Sequence, residues 1–221
     1  IMTNDATIIL TSTVNVNFSK SHIFQKSVND RLETYLKSIL QWLNKTSFNI
    51  VLVENSGYTF EELNNEKEVF KERFEVITFK EDELQEAAYL KNNDSKGSSE
   101  IFAIDYAFRH SKLVHSSNFI IKITCRYFIP ELEEYLVNFK LDEYDCLTQN
   151  SRDRCEMVGS HYNNFNFIFN TNVVDEYNKY DYWIERVWKM RTSLCDNILV
   201  CKEFKIERTP RGGVEEIFDT I

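Results

Sequence analysis

The chain is poor in glycine and almost without proline. Five glycines and two prolines among 221 residues exclude a collagen-like, linker-rich or low-complexity chain. The phosphate-cradling signatures that need glycine are missing. Neither G-x-G-x-x-G nor G-x-x-x-x-G-K-[ST] occurs, so neither a standard dinucleotide fold nor a P-loop kinase is supported. The nucleophile elbow G-x-S-x-G is absent as well. No apolar run approaches the roughly 20 residues that span a bilayer, so no membrane span is expected. Cysteine is scarce and odd in number: Cys125, Cys146, Cys155, Cys195 and Cys201 show no C-x-x-C spacing. That spacing disfavours a disulfide framework and a structural zinc site, and points to free thiols in a reducing, cytoplasmic setting. Positive charge is in deficit, with 26 Lys and Arg against 35 Asp and Glu. A net charge of −9 argues against a general nucleic-acid binder, while leaving room for a local basic pocket. His22, His110, His115 and His161 lack metal-ligand spacing. Ile1 before Met2 reads as a tag remnant or as a piece of a longer protein.

What is present is a hydrophobic content of 43%, with seventeen phenylalanines. That is enough for a sizeable, aromatic-rich core. Short β-branched runs at Ala6–Val14, Phe48–Tyr58, Phe74–Phe79 and Asn118–Phe128 read as buried strands. Between them, Ser27–Thr46, Thr59–Phe70 and Glu100–Val114 carry apolar residues at helical spacing, as does Pro130–Phe139. Tyr144–Asn150 and Phe165–Asn170 read as further strands, Val173–Asp196 as mainly helix, and the tail as a strand and an arm. Strands alternating with amphipathic helices predict an α/β fold: a mostly parallel sheet flanked by helices, Rossmann-like, in one domain over residues 1–221.

In such sheets ligands bind beyond the carboxyl ends of the strands. The residues there are Thr11 and Thr13 after the first strand, and Glu54, Asn55, Ser56 and Gly57 after the second. Lys122, Thr124, Arg126 and Tyr127 end the fourth, and the polar loop Asp94–Ser99 belongs to the same edge. Hydroxyls, an amide and several cations suit a nucleoside diphosphate, with the cations on the phosphates. An ordinary strand end explains Thr11–Thr13 better, and a turn explains Glu54–Gly57 equally well. A lysine inside a core strand must snorkel or find an anion, and an internal salt bridge is the competing reading for Lys122.

Four segments, "TIILTSTVNVN", "IVLVENSGY", "SKGSSEIFAIDYAFRHS" and "FIIKITCRYFI", stand in an order and spacing that resembles small GT-A-fold glycosyltransferases. Among these are the glycosyltransferase domains of chlorella-virus multidomain capsid-glycan enzymes. The likeness covers roughly the first 130 residues well and the rest loosely. It implies a donor half at about 1–130 and an acceptor half at about 131–221. It further implies a nucleotide-sugar donor, with a UDP-sugar favoured, and a glycan acceptor, with a viral capsid glycoprotein as one possibility. Carried over, Thr11, Thr13, Glu54 and Asn55 would line the nucleoside pocket. Ser95, Lys96 and Gly97 would approach the diphosphate. Lys122, Thr124 and Arg126 would occupy the place where many relatives hold a divalent metal with a D-x-D triplet. No D-x-D occurs here, which leaves Mn or Mg dependence open and casts the cations as the neutralisers of the leaving group.

An inverting transfer also needs a base for the acceptor hydroxyl. Asp153, Glu156, His161 and Asp181 are the candidates in the last third. Glu156, between Cys155 and Met157, is favoured because an apolar setting tunes a carboxylate for that task. A pair with Arg152 or Arg154 is the alternative. Tyr162, Tyr182 and Trp183 could stack on sugars or pack in the core. A sugar nucleotidyltransferase and a degenerate, non-catalytic transferase domain are the competing functions. The former calls for a Gly-rich basic loop after the first strand, which "LTSTVNVN" lacks.

Overall fold

The computed structural model describes residues 6–16, 27–211 and 216–221. His22 lies outside them. Four strands appear where the β-branched runs predict them: β1 (Ala6–Ser12), β2 (Asn49–Glu54), β3 (Phe74–Thr78) and β4 (Phe119–Thr124). Between them run α1 (Val28–Lys45), α2 (Asn64–Val69) and α3 (Lys96–His110). The second half adds α4 (Leu132–Leu136), β5 (Cys146–Thr148), β6 (Met157–His161), α5 (Phe165–Ile168), α6 (Ile184–Ser193), β7 (Ile198–Val200), β8 (Lys205–Pro210) and β9 (Ile217–Thr220).

Seven strands form one sheet in the order β3-β2-β1-β4-β6-β5-β7, and β8 pairs with β9 in a separate hairpin. The β1, β2, β3 and β4 pairings are parallel, β6 runs antiparallel to both its neighbours, and β5 is parallel to β7. The expected α/β fold with a mostly parallel, helix-flanked sheet is therefore what the chain forms.

Both faces of the sheet are buried, so the central strands read as continuous apolar runs. Side-chain alternation divides them. Ile8, Leu10, Ile50, Leu52, Ile121 and Ile123 pack under Tyr35, Ile39, Trp42 and Leu43 of α1. Ile9, Val51, Val53 and Ile120 pack under Ile101 and Ile104 of α3 and Val187 and Trp188 of α6. α1 starts where expected, with the Ser27 hydroxyl accepting from the Asp30 amide at 3.3 Å.

The second half corrects several expectations. "FNFIFN" is not a strand. Phe165, Ile168 and Phe169 are buried while Phe167 is 42% exposed, a three-and-four spacing that belongs to a helix rather than to period two. The strand there is β6, which ends at His161, before Phe165. Gly159 permits it: a Cβ would sit 2.9 Å from the Phe119 ring and 3.0 Å from Leu147 Cβ. Of Val173–Asp196 only α6 is regular helix. α3 begins at Lys96, so part of the expected polar loop is the helix's first turn.

Candidate functional site

At the carboxyl ends of β1, β2 and β4 lies a cleft of about 680 Å³. The loops after β1 and β2 close it on one side. Glu54 holds these two loops together from within. Its buried carboxylate accepts the amides of Val14 at 2.9 Å, Ser56 at 3.0 Å and Tyr58 at 2.7 Å, and the Ser56 hydroxyl as well. Burial pushes its pKa above the usual carboxylate value despite those donors. Glu54 does not reach the cleft wall, so the expectation that it lines a nucleoside pocket is corrected: it builds the wall that others line. Gly57, at φ +88°, closes the turn in left-handed backbone.

The lining from these loops includes Thr11, Ser12, Thr13 and Asn55. The Thr13 hydroxyl donates to Asn55 Oδ1 at 2.7 Å. Thr11 Oγ1 is buried without a hydrogen-bond partner among the described residues.

Cations come from three directions. Arg31 of α1 is buried; it donates to the Thr13 carbonyl at 2.6 Å and the Tyr35 hydroxyl at 2.8 Å. Burial, with Arg126 nearby, holds its pKa below the usual arginine value. Arg126 follows β4; its guanidinium lies 5.8 Å from the Tyr35 ring centroid, and its Nε is buried with no hydrogen-bond partner among the described residues. Lys96 opens α3, whose N-cap Ser95 accepts the Ser98 amide at 3.4 Å. The cleft walls desolvate Lys96, and with Arg126 they hold its ammonium below the usual lysine range. The α3 N-terminus itself brings the positive end of the helix dipole to the cleft. Gly97 in its first turn is required by packing, since a Cβ would meet Ile184 at 2.8 Å.

Lys122 is not among these cations. β4 alternation puts it on the same face as Ile120, under α3 and α6, where it is 0% exposed. There it pairs with Glu100 of α3, donates to the Cys155 carbonyl at 2.7 Å, and lies 5.1 Å from the Trp188 ring centroid. Burial opposes its charge, but Glu100 and neighbouring acids outweigh that and raise its pKa. The expectation of a direct phosphate contact is thus corrected in favour of the internal salt bridge. Thr124, the last residue of β4, does line the cleft, and its amide donates to the Glu156 carbonyl at 2.9 Å.

The four expected bases are scattered. Glu156 lines the cleft, yet its carboxylate is held by Arg154 at 2.5 Å, which replaces the expected apolar setting by an ion pair. Arg154 in turn stacks over Phe218 at 3.7 Å. His161 ends β6 opposite Phe119, the first residue of β4. Because β6 is antiparallel, His161 falls at the edge of the sheet away from the cleft, where it pairs with Asp142 at 2.8 Å. Asp181 accepts the Trp183 amide at 3.0 Å and Arg186 at 2.7 Å and does not line the cleft. Asp153 pairs with Lys189 at the surface at 2.5 Å. Tyr182 and Trp183 line the cleft, whereas Tyr162 packs on Phe108 and His115.

Arg31 and Tyr35 are cleft residues that the sequence reading missed. Both fall on the buried stripe of α1 with Ser38, Ile39 and Trp42. An arginine on such a stripe was the available signal, because a buried cation requires a partner or a ligand.

The strand-end residues do not fit a divalent metal. Thr124, Cys125 and Arg126 supply a hydroxyl, a buried thiol and a cation, whereas Mg²⁺ or Mn²⁺ takes carboxylate oxygens. No group of three His, Cys, Asp or Glu placed for a metal occurs among the described residues. No helix among them is long and apolar enough to cross a membrane.

No family model matches the chain, and no curated protein does. Among solved structures, the apo form of the bifunctional glycosyltransferase WbbM superposes with a TM-score of 0.51 at 10% identity, over 91% of this chain and 39% of that one. The fold is similar to that of a glycosyltransferase. A cytidylyltransferase from Leptospira borgpetersenii gives 0.49 at 12% identity, over 98% of this chain and 82% of that one. Glycosyltransferase GlyE of Streptococcus pneumoniae gives 0.48 at 10% identity, over 90% and 45%. The chain thus spans less than half of either glycosyltransferase.

Proposed function

We propose that the chain is a glycosyltransferase that moves a sugar from a nucleotide-sugar donor to a glycan acceptor, with inversion. One observation carries this reading. The α3 N-terminus, Lys96, Arg126 and Arg31 converge on one cleft at the carboxyl edge of a parallel sheet. In a protein of net charge −9, such a gathering of cations and helix-end N–H groups fits a dianionic pyrophosphate. The likeness of fold to WbbM is consistent with it.

The nucleoside lies against Thr11, Thr13 and Asn55, with a UDP-sugar as the favoured donor. Ser95, Lys96 and Gly97 hold the diphosphate from the helix end, with Arg126 and Arg31 facing them. As the glycosidic bond to phosphate lengthens, charge builds on the leaving oxygen, and these fixed cations stabilise it. The reading favours transfer over sugar nucleotidylation because the chain has no glycine between Val14 and Asn55, where a Gly-rich triphosphate loop would stand. A viral capsid glycan as acceptor rests on the sequence resemblance alone, and so does a hexosyl or deoxyhexosyl donor.

A thermal-shift series with UDP, GDP, CMP and TDP, with and without Mn²⁺, tests this. One nucleotide is expected to raise the Tm of the chain without metal, and Arg126→Ala or Lys96→Ala to abolish the shift while leaving the apo Tm within a few degrees. Failure of all four nucleotides to stabilise the chain would overturn the reading.

A further inference from the structure

The donor reading leaves one stretch of the cleft wall unused: Tyr182–Glu185, where the chain enters α6. Five carboxylates line the cleft, and three of them are held by hydrogen bonds or ion pairs. Glu100 is bound to Lys122, Glu156 to Arg154, and Glu81 accepts from the Ser99 hydroxyl at 3.1 Å. Asp82 is exposed beside the Lys80–Glu83 pair. Glu185 is half-buried, and no hydrogen bond or ion pair engages it among the described residues. It is close enough to Lys96 and Cys155 to act on both electrostatically. It lines the same cleft as Lys96 and as Cys155, which stands just before β6. A carboxylate with uncommitted lone pairs, near the reacting end of the site, is what a general base requires.

Beside it stand two aromatic rings. Tyr182 and Trp183 are 4.8 Å apart at 75°. Their backbone is fixed: Ser95 Oγ donates to the Tyr182 carbonyl at 3.0 Å, and the Trp183 amide donates to Asp181 at 3.0 Å. Trp183 is 43% exposed, whereas Trp42 and Trp188 are buried with their indole N–H groups on backbone carbonyls. A large apolar ring held in a cleft wall and partly exposed marks a contact surface. Asp181, expected from sequence to be a base, here orients the tryptophan.

We propose that Trp183, Tyr182 and Glu185 form the acceptor subsite, that it takes a saccharide whose apolar ring face lies on the indole, and that Glu185 removes the proton from the acceptor hydroxyl. The inference rests on the nucleotide-sugar reading. In the step, the acceptor oxygen bonds to the anomeric carbon. The bond from that carbon to the diphosphate oxygen breaks, and its electron pair leaves on the diphosphate. The hydroxyl proton ends on the Glu185 carboxylate. In the absence of acceptor, water takes the same place and the donor is hydrolysed.

The test uses the whole chain, with UDP-glucose, UDP-galactose, UDP-N-acetylglucosamine and GDP-mannose as donors. Glu185→Gln is expected to keep the nucleotide thermal shift of the parent and to slow donor hydrolysis on the order of 100-fold. Intrinsic tryptophan emission reports the platform, since Trp183 is the exposed one of three. Methyl glycosides of glucose, galactose, mannose, N-acetylglucosamine, fucose and rhamnose, added with UDP, are expected to change that emission for at least one sugar. Trp183→Phe is expected to abolish the signal and to raise the saccharide KM about tenfold, and Trp183→Ala to raise it further. If no nucleotide stabilises the parent chain, the donor reading falls and this inference with it. If nucleotides bind but Glu185→Gln hydrolyses donor at the parent rate, or no glycoside alters the emission, this inference alone is overturned.

Discussion

The two walls of the cleft are built by opposite means. The wall from β1, β2 and α1 is tied by internal hydrogen bonds: Glu54 collects three amides, and Arg31 bridges the Thr13 carbonyl and Tyr35. Its polar groups are spent on holding shape, so what it offers a ligand is a preformed surface of hydroxyls and an amide. The wall from α3, β6 and α6 is held by ion pairs and close packing. Lys122–Glu100 lies beneath it, Arg154–Glu156 on it, and Gly97 lets Ile184 approach. The first wall should therefore tolerate charge changes and depend on its donors, whereas the second should fail when a single charge or a single hydrogen atom is replaced.

The largest test of that contrast is Lys122→Met. Removing one member of a buried pair leaves Glu100 and the Cys155 carbonyl uncompensated, so a loss of about 3–5 kcal/mol is expected in urea unfolding. Lys122→Met with Glu100→Gln should recover most of it. The pair also predicts a pH signature. The folded-state pKa of Lys122 lies above its ordinary value of 10.5. Its contribution is therefore complete below that value and disappears as pH rises through the folded pKa. The parent should show an extra loss of stability beyond pH 10.5 that the double variant lacks; equal alkaline profiles would show that the buried pair does not hold this wall.

Gly97→Ala comes next. The new methyl has to displace Ile184 from 2.8 Å, which should cost about 1–3 kcal/mol as overpacking does. Because Gly97 belongs to the first turn of α3 and Ile184 to that of α6, the same change should weaken nucleotide binding and the Tyr182–Glu185 wall together. A stability loss with both functions intact would separate the two.

His161→Ala should have the smallest effect. It removes a pair with an exposed Asp142 carboxylate, for about 0–1 kcal/mol. Donor hydrolysis should be unchanged, since the residue sits at the opposite edge of the sheet. A large kinetic loss would mean that β6 is not in the register described above.

The parallel half was legible in the sequence because local and global preferences coincide there. β-Branched runs buried on both faces, separated by amphipathic helices, leave little choice of architecture. The donor-side residues followed from the rule that ligands sit beyond the strands' carboxyl ends, and Thr11, Thr13, Asn55, Ser95, Lys96, Gly97, Thr124 and Arg126 all line the cleft. The second half was legible only in part: β5 and α4 fall inside the expected Tyr144–Asn150 strand and Pro130–Phe139 helix, but short strands, an antiparallel reversal and a packed coil carry little periodicity. The reading of "FNFIFN" as a strand shows this: two periods fit six residues, and only the neighbours of Phe167 choose between them.

The sequence by itself determined that β1 to β4 would be core strands with polar ends gathered at one edge, since continuous β-branched runs and strand-end polarity are local properties. It also contained the parity that puts Lys122 on the face of Ile120. Only the tertiary structure decided what that face meets, namely Glu100, and which way β6 runs. Partner choice and strand direction arise between segments far apart in the chain, where no single stretch of residues fixes the outcome.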